Sequence, residues 1–260
     1  DDRTDRPALG AIHGTGGTLI VDAGASPAHL GAFVAELEAR RRPPIVAIAL
    51  THWHWDHSFG AAALDVPVIA HIDTARELAV QASYDWSDEA LAGRVRDGRE
   101  LAFCADMIRL ELPERSDLRI VVPQETFTDR RVVDLGGVEA VVEHVGGDHA
   151  ADSSVVRVPD DGVLFLGDCL YQRLYAPEPL LTTSGVRALV DRIRRFDASL
   201  AVEGHADEVD AAEAHRARLD ELEHAIELVE RDGVGARMAA GPDEDLADLI
   251  AFLLAGAAEH

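Results

Sequence analysis

His52, His54, Asp56 and His57 place three imidazoles and a carboxylate within six residues, directly after the apolar run Ile45–Leu50. Such a stretch makes poor core. A chain that carries it has to end a buried strand in a loop, where stiffly held side chains stay open to solvent. Alternate residues of an extended segment face the same way, so His52 and His54 can share one metal ion. Asp56 and His57 follow a turn and face a second position. Imidazole nitrogen and carboxylate oxygen both suit zinc, and a catalytic zinc site keeps one position for water. Two ions about 3.5–4 Å apart can hold a hydroxide between them.

Three later apolar runs end in further donors. Gly146-Gly147-Asp148-His149 follows a strand ending at Val145, Gly167-Asp168 ends the run Val163–Leu166, and Glu203-Gly204-His205 ends Leu200–Val202. Together they offer His52, His54 and His149 for one metal, Asp56, His57 and His205 for another, and Asp168 as a bridge. A metal site built from one edge of a sheet needs donors at strand ends in this way.

The remaining patterning fits a layered α/β chain. Thr18–Val21 reads as a strand, and Pro27 opens a helix to about Arg40 with Leu30, Phe33, Val34 and Leu37 at helical spacing. A short helix is expected over Ser58–Leu64, a strand over Val66–His71 and a helix from about Asp73. Residues 74–114 read as a helical insertion, either lying over the site or packed on the sheet. Strands are expected at Leu118–Val122, Arg131–Leu135, Val138–Val145, Ser153–Val158 and Val163–Leu166. The last two form a hairpin about Asp160-Asp161-Gly162. Helices follow at Ser184–Phe196, Glu208–Arg231 and Pro242–Leu254. Residues 1–7 read as a poorly ordered start. With no internal repeat or low-complexity linker, residues 1–260 read as one domain with a C-terminal helical part from about residue 207.

Forty-eight acidic residues against 24 basic ones give a net charge of -24, and the sequence contains no lysine. That field repels phosphate polymers and weighs against a nucleic-acid substrate, leaving a small-molecule substrate as the expectation. No apolar run approaches the roughly 18 residues of a membrane span. Cys104 and Cys169 are too few for a disulfide framework, which fits a reducing compartment. The sequence shows no basic-then-apolar leader at Asp1, so any signal peptide has been removed or never existed; localisation stays open, with the cytoplasm favoured. Oligomeric state stays open.

The spacing of HxHxDH over His52–His57, the later His149, Gly-Asp168 and Gly-His205 resembles the metallo-β-lactamase superfamily from Val21 to His205. The resemblance implies a four-layer αββα sandwich, with two mixed β-sheets between outer helices and a metal site at one edge. It implies that His52, His54, Asp56, His57, His149, Asp168 and His205 are metal ligands, and that Asp22 supports the first cluster from behind. Two departures stand out. Common zinc β-lactamases tend to carry cysteine at the position of Asp168, and the lysine that many use to hold the drug carboxylate has no counterpart here. The usual His-Thr-Pro-Gly-like segment is replaced by His149-Ala150-Ala151-Asp152-Ser153.

The expected function is hydrolysis of a small ester, lactone, thioester or amide by a metal-bound hydroxide at a dinuclear zinc centre, with two Zn2+ per chain. Asp56 would be the catalytic residue that orients the nucleophile and passes a proton to the leaving group. Iron or manganese is compatible with the same donors. The alternatives are an iron-dependent redox enzyme such as a sulfur dioxygenase, and a zinc β-lactamase. Glutathione thioester hydrolysis is disfavoured by the acidic stretch Asp207–Glu230. Trp55, Tyr171 and Tyr175 are candidate pocket residues; packing roles for them, and for Trp53, stay open. His71 reads as structural, His144 as a packed or surface histidine, His215 and His224 as solvated, and Cys169 as a small buried hydrophobe.

Overall fold

The computed structural model describes residues 4–238 and 240–258. The first sheet runs β1 (Gly10–Gly14), β2 (Gly17–Val21), β3 (Ile45–Ala49), β4 (Val68–His71) and β5 (Glu125–Phe127), in that spatial order. The β1–β2 pair is antiparallel and the other pairs are parallel. The second sheet is ordered β11 (Asp210–Ala211), β10 (Leu200–Glu203), β9 (Val163–Gly167), β8 (Ser154–Val158), β7 (Glu139–His144) and β6 (Arg130–Asp134). Only β9–β10 is parallel there. Both sheets are therefore mixed, as the resemblance implied.

Side-chain alternation builds the layers. Leu19 and Val21 point inward with Ala47, Ala49 and Ile69 to meet Val142, Val156 and Val158 of the second sheet. Ile20 and Ile48 point the other way, against α1 (Pro27–Ala39) and α5 (Ala102–Glu111), in a cluster with Leu30, Leu78, Leu91 and Ile108. Leu78 and Leu91 come from α3 (Ile72–Gln81) and α4 (Asp88–Arg96). Val155, Leu164 and Leu166 face α6 (Thr183–Arg194), α7 (Ala212–Asp232) and α8 (Glu244–Ala258). Two apolar faces on each sheet thus require four layers. Helix starts follow their caps: Ser26 accepts from the backbone N–H of His29 ahead of Pro27, and Thr182 accepts from that of Gly185.

Several expectations need correction. Leu118–Val122 is not a strand: Ile120 is buried against the helical cluster, and ladder pairing starts only past Pro123, at β5. β1 was not anticipated. Residues 1–3, part of the expected poorly ordered start, lie outside the described residues. Residues 4–7 are held, because Arg6 grips the buried Glu111 of α5 in a two-pronged pair with Nε–Oε2 2.9 Å and Nη2–Oε1 2.8 Å. His215 is buried, since it shares the face of α7 that carries Leu219, Leu222 and Ile226. His224 is exposed, as expected. Among the described residues, no helix is long and apolar enough to cross a membrane.

Candidate metal centre

All the donor-bearing strand ends meet at one edge of the sandwich. β3 leads through Leu50 and Thr51 to His52, and His54 precedes the one-turn helix α2 (Trp55–Ser58) that carries Asp56 and His57. His149 lies in the loop between β7 and β8, Asp168 directly follows β9, and His205 comes two residues after β10. The parallel register of β9 with β10 shifts between Val202 and Glu203, which sets Glu203 opposite Gly167. Gly204 N–H then donates to Gly167 C=O at 2.9 Å. A Cβ on Gly204 would fall 1.9 Å from Asp168 Oδ1, so only glycine lets this strand end pass the aspartate. Gly167 has φ +52, which turns the chain sharply before Asp168.

The side chains gather as two groups whose donor atoms lie within 4.8 Å of one another: His52, His54 and His149; and Asp56, His57, Asp168 and His205. His54 Nδ1 is 2.9 Å from His149 Nε2. In the second group, Asp56 Oδ2 lies 3.2 Å from His57 Nε2 and 3.1 Å from His205 Nε2. Asp168 Oδ2 lies 3.3 Å from each of those nitrogens and 3.5 Å from His149 Nε2, so one oxygen touches both groups.

Partners outside the centre hold the far side of three of the rings, those of His52, His57 and His149. Asp22 accepts from the backbone N–H and the hydroxyl of Thr51 and lies 2.8 Å from His57 Nδ1. With its proton given to Asp22, the Thr51 hydroxyl oxygen, 3.1 Å from His52 Nδ1, is left to accept from that ring. His149 Nδ1 is 3.1 Å from the Gln172 carbonyl. An Nδ1–H donated outward leaves Nε2 with its lone pair, the arrangement that metal-ligating histidines use. Asp22 has φ +61, a conformation in which aspartate is tolerated better than bulkier residues.

The two groups differ in charge. Burial, with the neighbouring imidazoles, lowers His52 far below the usual histidine range and brings His54 to about 3. Burial also lowers His149. For His57, burial works against the charge, but Asp168, Asp56 and Asp22 raise it well above its ordinary value. His205 is likewise raised to about 10 against its own burial, by Asp168 and Asp56. Burial would raise Asp56 and Asp168, yet His57 and His205 hold both carboxyls well below the carboxylate range.

The donor set fits a metal. His52 Nε2, His54 Nε2 and Asp168 Oδ1 are buried with no hydrogen-bond partner. Each such atom costs about 1–3 kcal/mol unless something binds it. Neutral imidazoles beside ionised carboxylates, with protons drawn onto the second group, form the environment in which a divalent cation displaces protons.

The centre opens into a cavity of about 280 Å³ whose walls include Trp55, Phe103, Cys104, Tyr171, Leu174 and Tyr175. Trp55 is buried against Phe59 and still reaches the cavity, so it both packs and lines. Phe103 and Cys104 belong to α5: the stretch 74–114 supplies one wall and also packs on the first sheet. The Tyr175 hydroxyl donates to Glu100 at 2.8 Å, and Tyr171 shares a hydrogen bond with Glu203. His71 caps α3 and stacks on His144 at 4.0 Å, and Cys169 is buried; all three are structural.

Sequence reasoning passed over Asp5, Thr51, Asp148 and Glu100. Asp5 lines the cavity 3.7 Å from His205 Nδ1, and Asp148 anchors the His149 loop by accepting from the Thr182 backbone N–H and hydroxyl. Thr51 and Asp148, each adjacent to a donor histidine, carried a usable signal. Asp5, far from any motif, carried none.

A family model described as the metallo-beta-lactamase superfamily matches residues 10–230. Among solved structures, a metallo-beta-lactamase from Pontibacter korlensis is 20% identical with a TM-score of 0.57, over 81% of this chain and 84% of that one. A metallo-beta-lactamase family protein from Thermus thermophilus is 20% identical with a TM-score of 0.57, over 97% and 89%. The inverting sec-alkylsulfatase Pisa1 from Pseudomonas sp. is 19% identical with a TM-score of 0.65, over 88% of this chain but 40% of that one. At such identities the likeness is one of fold. No curated protein sequence matches the chain.

Proposed function

Because this chain belongs to the metallo-beta-lactamase superfamily, we propose that it is a metal-dependent hydrolase of a small ester, lactone, thioester or amide, with two zinc ions per chain. The observation that carries the proposal is Asp168 Oδ2, within 3.5 Å of His149 Nε2 and 3.3 Å of both His57 and His205 Nε2. An oxygen so placed can serve both donor groups. His52, His54 and His149 would hold one ion, and Asp56, His57 and His205 the other, with Asp168 between them. Five imidazoles against two carboxylates favour zinc over manganese or iron on affinity.

When bound, such ions polarise a carbonyl and lower the pKa of water from 15.7 to about 7. Hydrolysis adds water across the acyl bond: its oxygen joins the carbonyl carbon, the bond to the leaving atom breaks, and the leaving atom takes a proton. Asp56, buried and ionised beside His205, would orient the nucleophile and carry that proton. Trp55, Phe103 and Leu174 give the cavity an apolar wall.

The test is metal analysis by inductively coupled plasma mass spectrometry on protein purified without added metal, paired with an ester and lactone panel. About two zinc ions per chain, with hydrolysis lost on chelation and restored by zinc, is the expected result. A single iron, or a coloured protein, would replace hydrolysis with redox chemistry. No metal even after reconstitution would overturn the site.

A further inference from the structure

We infer that the substrate carries no negative charge, because Asp5 excludes anionic substrates from the cavity. The inference rests on the hydrolase reading and narrows it. Among the described residues none that lines the cavity is an arginine, and the sequence has no lysine. Apart from the donors, the polar lining consists of Gln172, the two phenols and the Asp5 carboxylate. Both phenols are committed to carboxylates behind the wall, Tyr175 to Glu100 and Tyr171 to Glu203. A carboxylate, phosphate or sulfate on the far part of a substrate would meet Asp5 directly, with Glu100 and Glu203 beyond.

Asp5 stands where this cavity joins a second hollow of about 430 Å³, which it lines together with Arg6, Phe103 and His205. The Arg6 guanidinium there is engaged by Glu111 in the two-pronged pair. Negative charge on a substrate entering from that side would meet Asp5 and Asp207, with the Arg6 guanidinium already engaged. The net charge of -24 opposes anions at long range as well. At about 280 Å³ the cavity falls just below the usual ligand range of roughly 300–1,000 Å³, which favours short acyl groups.

The test uses the zinc-loaded protein and three esters of one leaving group: 4-nitrophenyl butyrate, mono-4-nitrophenyl glutarate, and the methyl ester of the latter, which matches its size without its charge. Both neutral esters should exceed the anionic one by about 100-fold in kcat/KM, mostly through KM, as like-charge juxtaposition predicts. Asp5→Asn should raise the ratio of anionic to neutral kcat/KM by about tenfold. An anionic ester turned over as well as its methyl ester, or a ratio unmoved by Asp5→Asn, would overturn the inference. If zinc-loaded protein hydrolyses none of the three, the hydrolase reading fails on its own. Calorimetric titration with the intact esters then decides the inference: binding of the methyl ester without the acid sustains it, and binding of both or of neither overturns it.

Discussion

The two halves of the candidate metal centre are built from similar residues to opposite electrostatic ends. His52, His54 and His149 sit in a buried pocket where burial keeps every ring neutral. Asp56, His57, Asp168 and His205 form a mutually charged cluster whose imidazoles are driven toward protonation, with His205 the most exposed member. The first half offers lone pairs at no charge. The second offers negative charge that protons partly fill. Donor identity alone therefore does not describe a site, because carboxylates behind and between the rings decide which rings compete with protons for a cation.

Asp168 belongs to both halves, so its loss should be the heaviest blow. Outer partners of metal sites are worth about 10–100-fold, so Asp168→Ala should cost more than about 100-fold in kcat/KM and at least one ion per chain by metal analysis. Two ions and near-normal activity in that variant would remove the basis for treating the halves as coupled. Asp22 touches a ring only of the charged half, through His57. Asp22→Ala should weaken one of two zinc sites by about 10–100-fold in competition with a chromophoric chelator while the other changes little. Equal weakening of both would mean that its grip on Thr51 matters as much as its grip on His57.

Acidity should separate the halves next. His205 has a folded pKa raised to about 10. In metal-free protein its stabilising contribution is complete below the ordinary histidine value of about 6.5 and is lost as pH rises to about 10. His57 is raised as well and acts in the same direction. His54, lowered to about 3, does the reverse: its neutral form favours the fold, so stability falls as pH drops from about 6.5 toward 3. Thermal melts of metal-free protein should decline on both sides of about pH 6.5, and zinc-loaded protein should lose the alkaline arm, since the ions will have displaced those protons. The smallest effect is expected at Tyr171→Phe. Its hydroxyl serves Glu203, so kcat should stay within about threefold, whereas a loss near 100-fold would give the phenol a role on the carbonyl.

The layers and the donors were legible because both are written in short-range patterns: alternation in Leu19-Ile20-Val21 for the two-faced strand, and donors placed at the ends of apolar runs. β1 escaped because Gly10 and Gly14 look like chain breakers. Their purpose is clearance, since a Cβ on Gly10 would fall 2.5 Å from the Phe165 ring and one on Gly14 would fall 2.0 Å from the Leu135 carbonyl. Leu118–Val122 has strand composition but pairs with no strand among the described residues, and composition cannot supply a partner. The burial of His215 was readable from its spacing to Leu219 and Leu222, and the surrounding charges masked it. Asp5 reaches the cavity, and Glu100 the Tyr175 hydroxyl behind its wall, only through tertiary packing, which no local pattern records.

The contact between Asp56 and His205 joins residues 149 positions apart, and that between His54 and His149 joins residues 95 apart. Neither donor group can assemble in a partly folded chain, because each needs strand ends that exist only once both sheets have formed and docked. The centre therefore cannot nucleate folding. Closing loops of that length early would cost entropy before any contact repaid it. A metal ion held there would therefore meet its site as the last step of assembly and slow unfolding more than it speeds folding, as expected for interactions absent from the transition state.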